Sequence, residues 1–576
     1  MLGYLERMQA WLNDPAIDEE SKKEIKNNKN KLDLEDRFYK DLDFGTAGLR
    51  GKLGVGTNRM NTYMVGKATQ AFADYILSHG VAAAKRGVVI AYDSRHQSDV
   101  FALETALVFA GNGIKAYLFE GLRPTPELSF AIRHLDTIAG VVVTASHNPK
   151  EYNGYKAYWE DGSQILAEIA DTVMAGMANM VSFSAIKISS KIAALEQGLL
   201  QYVGKEIDEI YLAKVLALSI YDKEIAKDIA IVYTPLNGTG NVPVRTILAR
   251  RGFTNLHIVE EQAMPDPDFT TVGYPNPEDV QAFRLAEKLG TKVGAELLIA
   301  TDPDADRLAV MVRDAKGGYL AINGNQAGVL LVNYLLRGLQ SKGKLPKNGC
   351  IIKSLVTGDM AKKIALDFGV ATFDVLTGFK NICGLANKFA ESGEYTFLFG
   401  YEESIGYLAG DFVRDKDAVS AAMLFAEMAA YYQAQGIRII NVLEQLFQHY
   451  GYYKETVVSI VLEGITGQQR ISRMMDWYRA NFPTKIGQHK LILVEDFQIG
   501  MSLNIQTRAS EPLFLTDRSN VLKYRFDDES WYAVRPSGTE PKIKLYIYTL
   551  GTSDHEATAK LHLYSEAILS LLHQVE

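Results

Sequence analysis

Three aspartates alternate along ATDPDADRLAV (300–310), at Asp302, Asp304 and Asp306, and Arg307 follows directly. In an extended loop, side chains at i, i+2 and i+4 fall on one side. Carboxylates crowded in this way repel one another unless a cation sits among them. An all-oxygen ligand set suits a hard ion, and Mg²⁺ with positions left open for a phosphate oxygen is the expected one. A solvated acidic turn is the alternative, because Asp and Pro are ordinary turn residues. The run, however, emerges straight from the apolar strand at 295–300. An EF-hand is excluded, since no glutamate stands at the later position that motif requires.

A second loop, TASHNPKEYNGYK (144–156), also leaves an apolar run, 138–143. Ser146 beside His147 suggests a nucleophile with its base. No companion acid accompanies them, and adjacent side chains in an extended segment point to opposite faces. Closure of a turn before Pro149 would be the purely structural role for Ser146, His147 and Asn148. With the aspartate loop in the same chain, an exposed hydroxyl that receives a phosphoryl group is the better reading. Both loops occupy strand ends, where open α/β sheets place their ligands.

Two further loops carry polar chemistry. In GYEESIGY (400–407), Glu402 and Ser404 offer an ionised acceptor and a donor/acceptor, a pair suited to vicinal sugar hydroxyls. An acidic turn reads equally well there. In RPSGTEPK (535–542), Arg535, Ser537, Gly538 and Thr539 supply a guanidinium, hydroxyls and accessible backbone N–H groups. That combination cradles phosphate without the glycine spacing of a nucleotide loop. A plain hairpin turn is the alternative.

These loops need elements to hold them, and one design recurs three times. GVVIAYDSR to IKAYLF (87–119), IAIVYTPLNGTG to FTNLHIV (229–259) and CIIKSLVTGD to VATFDV (350–375) each read as strand, polar turn, helix, glycine and strand. Gly113, Gly252 and Gly369 suit the left-handed residue that ends a helix. Each unit implies a parallel strand pair. The expected fold is therefore α/β, with three similar α/β domains followed by a smaller C-terminal α+β domain. The strand-like 454–462, 489–497, 531–534 and 542–549 and an amphipathic last helix make up the latter. Expected boundaries are 1–207 (with an N-terminal helical extension), 208–320, 321–445 and 446–576.

A chain of 576 residues is too long for a single core, which agrees with several domains. A net charge of -8 gives no footprint for nucleic acid or for anionic lipid, so an anionic ligand must be held by local basic groups. Two cysteines exclude a disulfide framework. The N-terminus lacks a signal-peptide pattern, and the longest apolar run, 328–336, is far below the ~20 residues of a membrane span. A cytoplasmic protein without nucleic-acid or membrane partners is expected, with its oligomeric state unassigned.

The four loops, in this order, resemble the motifs of the α-D-phosphohexomutase family, from about Asp43 to the C-terminus. The resemblance implies three similar α/β domains with mixed sheets and a fourth, smaller domain around a central cleft. It implies that Ser146 is the phosphorylated residue and that Asp302, Asp304 and Asp306 hold Mg²⁺ with a phosphoserine oxygen. Arg307 follows the metal loop as in the family. Lys156 matches the general acid/base lysine, and Arg50 in GTAGLRG (45–51) an arginine near the reacting phosphate. His147 falls to phosphate contact or loop support. Glu402 and Ser404 would bind sugar hydroxyls. Thr377, Gly378 and Lys380 of TGFK would assist sugar-phosphate binding, and Arg535, Ser537, Gly538 and Thr539 the non-reacting phosphate. GTAGLRG and TGFK resemble the phosphoglucomutase-2 and phosphopentomutase branch, in which alanine often stands where this chain has Ser404.

The implied reaction interconverts glucose 1-phosphate and glucose 6-phosphate, with glucose 1,6-bisphosphate as intermediate and activator. Sugar phosphates are then the only partners expected. Mannose or pentose phosphates, a phosphoserine-dependent phosphatase, and a sugar-phosphate sensor without catalysis are the competing readings.

Overall fold

The computed structural model describes residues 3–43, 48–462, 464–513, 517–537 and 542–573. The chain divides into two compact units. One comprises Met1–Gly324 with Ser404–Gly436, the other Asn325–Glu403 with Ile437–Glu576. Residues 321–445 therefore contribute to both.

The first unit contains two mixed sheets. In the six-stranded sheet the order is Leu49–Lys52, Tyr152–Trp159, Ala139–Val143, Val88–Tyr92, Ala116–Phe119, Leu200–Val203. Its first two pairings are antiparallel and the remaining three parallel. The five-stranded sheet runs Tyr319–Ile322, Leu308–Arg313, Leu297–Thr301, Ile231–Thr234, Leu256–Ile258, again antiparallel at one edge and parallel at the other. Central strands such as Ala139–Val143 and Leu297–Thr301 are buried at every residue, which is why they read as continuous apolar runs rather than alternating ones. Helix Ala418–Ala434 belongs to this unit and is buried on nearly all sides. Its sequence, AVSAAMLFAEMAAYYQA, has no polar stripe, as a core helix requires.

The second unit has parallel strands Ala371–Val375, Gly349–Ser354 and Thr396–Glu402. Its C-terminal part is an antiparallel sheet in the order Tyr452–Val461, Lys542–Gly551, Trp531–Pro536, Leu522–Phe526, His489–Asp496, Met501–Asn504, Ser510–Pro512. Helices Gly464–Ala480 and Asp554–His573 supply Met474, Tyr478, Tyr564 and Ile568 to the core against Tyr524, Tyr532 and Leu545.

The three repeated units fold as expected. Each strand pair, Val88–Tyr92 with Ala116–Phe119, Ile231–Thr234 with Leu256–Ile258, and Gly349–Ser354 with Ala371–Val375, is parallel. Gly113, Gly252 and Gly369 have φ of 72°, 91° and 66°, the left-handed region that favours glycine at a helix end. Among the described residues no helix is long and apolar enough to cross a membrane.

Candidate active site

Ser146 sits in the turn that leaves Ala139–Val143, at φ 51°, a left-handed conformation that few non-glycine residues hold. The surroundings fix it there. Ser146 N donates to Thr144 Oγ1 at 2.8 Å, and Thr144 Oγ1 donates to Asp93 Oδ2 at 2.6 Å. The Arg95 guanidinium donates to the carbonyls of Ser146, Asn148 (2.5 Å), Pro149 (2.9 Å) and Tyr152 (3.2 Å). Asp93 Oδ2 in turn lies 3.3 Å from Arg95 Nε. The serine loop is thus wound around one buried ion pair. Its hydroxyl is aimed outward from this scaffold and donates to Asp302 Oδ2 at 2.5 Å. His147 Nδ1 lies 3.3 Å from the same hydroxyl. Burial, reinforced by Arg307 and Arg50, holds the His147 pKa well below its ordinary value, so the ring is neutral.

The three aspartates converge, but not by extended alternation. The segment turns, with Ala305 at φ 50° and Ala305 N donating to Asp302 O at 2.9 Å. Asp302 Oδ1 accepts from the backbone N–H of Asp306 and Arg307, both at 3.1 Å, and so closes the turn. Asp302, Asp304 and Asp306 are 0%, 0% and 2% exposed, which removes the solvated-turn alternative. Their oxygens lie within 4.8 Å of one another.

Three cations face them. Lys156 Nζ lies 2.7 Å from Asp304 Oδ2 and 3.3 Å from Asp306 Oδ2. Lys416 Nζ lies 3.1 Å from Asp306 Oδ2 and 2.9 Å from Asp415 Oδ1, and Arg307 Nε 3.8 Å from Asp306 Oδ1. Thr125 Oγ1 donates to Asp304 Oδ2 at 2.7 Å. Burial raises the Asp302 pKa far above the carboxylate range, and repulsion from Asp304 and Asp306 adds to it. Burial also acts upward on Asp306, but Lys416, Lys156 and Arg307 outweigh it and hold that carboxyl low. Asp304 is likewise held low by Lys156 and Thr125, against burial and Asp306. Burial disfavours charge on Lys156, yet Asp304 and Asp306 prevail and raise its pKa, so it stays an ammonium.

These carboxylates fit a metal ion. Asp304 Oδ1 and Asp306 Oδ1 are buried and accept no hydrogen bond, the state expected of oxygens reserved for a cation. A divalent ion among the three would favour the ionised form of all of them, Asp302 included.

Arg50, on Leu49–Lys52, donates to Asn148 Oδ1 at 3.3 Å and so reaches the serine loop. Arg307 Nη1 donates to Ser404 O at 3.4 Å, which brings Ser404 to the aspartate loop through its backbone. Ser146, His147, Lys156, Arg50, Arg307 and the three aspartates all lie in the first unit, as does Ser404.

The second unit gathers other residues. Gly378 N, at the start of helix Phe379–Ser392, donates to Glu402 Oε1 at 2.8 Å, so TGFK and the GYEES strand meet there. Thr377 and Lys380 flank that contact in sequence, and burial lowers the Lys380 pKa. Arg535 lies near the end of strand Trp531–Pro536, and Ser537 N donates to Lys542 O at 2.8 Å on the neighbouring strand. Gly538 and Thr539 lie outside the described residues.

Sequence reasoning passed over Arg95, Thr125 and Lys416. Arg95 stands in AYDSRH at the end of an apolar strand, the same strand-end signal that singled out the serine loop. Lys416 lies in RDKD (414–417), an isolated charge cluster directly before the apolar helix Ala418–Ala434. Thr125 carries no local signal, because only the fold brings it to Asp304.

Three consecutive segments match one sequence family. Residues 41–182, 209–317 and 323–450 match phosphoglucomutase/phosphomannomutase alpha/beta/alpha domains I, II and III. The chain is 39% identical over 537 residues to a phosphoglucomutase of Staphylococcus epidermidis, covering 93% of this chain and 95% of that one. A putative phosphomannomutase from Thermus thermophilus shares the fold, with a TM-score of 0.67 at 21% identity over 92% of this chain and 99% of its own. So does an Aspergillus fumigatus N-acetylphosphoglucosamine mutase solved with GlcNAc-6P and magnesium, with a TM-score of 0.51 at 13% identity over 92% and 96%.

Proposed function

The chain belongs to the phosphoglucomutase/phosphomannomutase family, and we propose that it interconverts α-D-glucose 1-phosphate and glucose 6-phosphate through a phosphorylated Ser146. The observation that carries this is the Ser146 hydroxyl on Asp302, 2.5 Å away, at the edge of three buried carboxylates. A serine intended for acyl transfer would need a base and an oxyanion pocket; one intended to carry phosphate needs a cation within reach of its oxygens.

Asp302, Asp304 and Asp306 are the residues that would hold Mg²⁺ together with an oxygen of the phosphoserine. When bound, that ion neutralises charge on the transferring phosphoryl group. The Aspergillus fumigatus relative was solved with magnesium, which supports the choice of ion. In the first half of the cycle the bond between Ser146 Oγ and phosphorus breaks, and one forms from phosphorus to the free sugar hydroxyl. That gives glucose 1,6-bisphosphate. In the second half the other phosphoryl group returns to Ser146 after the intermediate has turned over. Lys156, held as an ammonium by Asp304 and Asp306, is assigned to proton transfer at the reacting oxygens. Arg50 and Arg307 meet the reacting phosphate and the sugar phosphate, and neutral His147 supports the loop. Glu402, Ser404, Thr377, Gly378 and Lys380 are assigned to the sugar, and Arg535, Ser537, Gly538 and Thr539 to the phosphate that is not reacting. A division into domains at about 207, 320 and 445 gives each of the four loops its own domain, and a cytoplasmic location suits the substrates.

Comparison of kcat/KM on glucose, mannose and ribose 1-phosphates tests the substrate. Preference for glucose is expected, and equal or lower efficiency on glucose would overturn it. Release of inorganic phosphate without isomerisation would instead mark a phosphatase.

A further inference from the structure

Arg50 lies on a four-residue strand, Leu49–Lys52, at the edge of the six-stranded sheet. Its neighbour in the sheet is Tyr152–Trp159, with Arg50 opposite Gly154. So short an edge strand has few ladder bonds to fix it, so what packs on it contributes to its alignment.

The N-terminal segment does this. The side chain of Leu42, 4% exposed, lies over Gly51, where an added β-carbon would come within 2.8 Å of Leu42 Cδ2. Leu42 N donates to Thr57 O at 3.0 Å, and Thr57 Oγ1 donates back to Lys40 O at 2.7 Å. Asn58 N donates to Arg37 O at 2.9 Å, Arg37 Nη1 donates to Val55 O at 3.1 Å, and Arg59 Nη2 lies 2.7 Å from Asp36 Oδ2. The chain that continues the Arg50 strand is therefore tied to the N-terminal segment bond by bond. That segment is itself anchored by Trp11, Ile17, Ile25 and Phe38, each 2% exposed or less, packed against Val55, Tyr63 and Phe183.

We propose that residues 3–42 form a clamp on the Leu49–Lys52 strand and that Leu42 is a positioning residue for Arg50, setting how that guanidinium meets the reacting phosphate. This rests on the assignment of Arg50 to that phosphate. Packing alone would stabilise the segment; the clamp also transmits to catalysis, because a small misplacement of a charged contact is felt in the transition state.

A double-mutant cycle tests it. Leu42→Ala opens the space over Gly51, and Leu42→Met keeps the volume. Leu42→Ala should lower kcat/KM for glucose 1-phosphate about tenfold, and Leu42→Met should stay near the parent. In an Arg50→Ala background Leu42→Ala should cost nothing further, because the group it positions is gone. The same loss in both backgrounds, or no loss in either, would overturn the clamp. Should Leu42→Ala fail to fold by thermal melting, Thr57→Ala, which removes the bond to Lys40 O, enters the same cycle. Parental activity in Arg50→Ala itself would refute the Arg50 assignment separately, before Leu42 is altered.

Discussion

Ser146 is held at φ 51° by bonds to its own loop, and its hydroxyl is the part left to do chemistry. Removing that hydroxyl takes away the proposed phosphoryl acceptor and one buried hydrogen bond, to Asp302, but little packing. Ser146→Ala should therefore lose mutase turnover while staying folded, at a stability cost of about 1–3 kcal/mol because Asp302 Oδ2 loses its buried donor, as measured by thermal unfolding beside the activity assay. The carboxylates make a second prediction. A cation that binds the folded chain stabilises it by mass action, about 2.7 kcal/mol at 100 times Kd. Adding Mg²⁺ should raise Tm, and Asp304→Asn should abolish the rise; an unchanged Mg²⁺ shift in that variant would remove Asp304 from the ligand set. Ser146 and the aspartates stood out as candidates because each set lies within one short local motif. Lys416 and Thr125 were not, since their partners lie far away in the chain and only the fold closes the distance.

Helices and strands were legible where period and length agreed, as in the three strand–helix–strand units and the glycines that end their helices. The route of the chain was not. Nothing in GYEESIGY marks that Glu402 belongs to one compact unit and Ser404 to the other. Helix Ser98–Gly111 shows a further cost hidden from sequence. Glu104 on it is half-buried, and burial pushes its pKa from 4.5 up to about 7. The folded chain then keeps a proton that the unfolded chain has released between these values, so stability contributed by this group falls as pH rises through that window. Glu104→Gln should raise Tm at about pH 8 and have no effect at about pH 3, well below both pKa values, where both states are protonated. An equal change at both values would show that packing, not charge burial, governs the site.

At the scale of the molecule, Ser146, the aspartate loop and Lys156 are assembled within one compact unit, whereas Glu402, TGFK and Arg535 lie in the other. The proposed division of labour follows: one unit performs transfer, the other supplies sugar and distal-phosphate contacts. It predicts that Arg535→Ala raises KM for glucose 1-phosphate while leaving phosphorylation of Ser146 by glucose 1,6-bisphosphate intact at saturating concentration. The central claim is that Ser146 itself carries the phosphoryl group. Intact-mass measurement after incubation with Mg²⁺ and glucose 1,6-bisphosphate, followed by peptide mapping, tests it most directly. One added phosphoryl group on Ser146, lost again on adding excess glucose 6-phosphate, is the predicted result. A phosphoryl group on another residue, or turnover with Ser146 unmodified throughout, would contradict it.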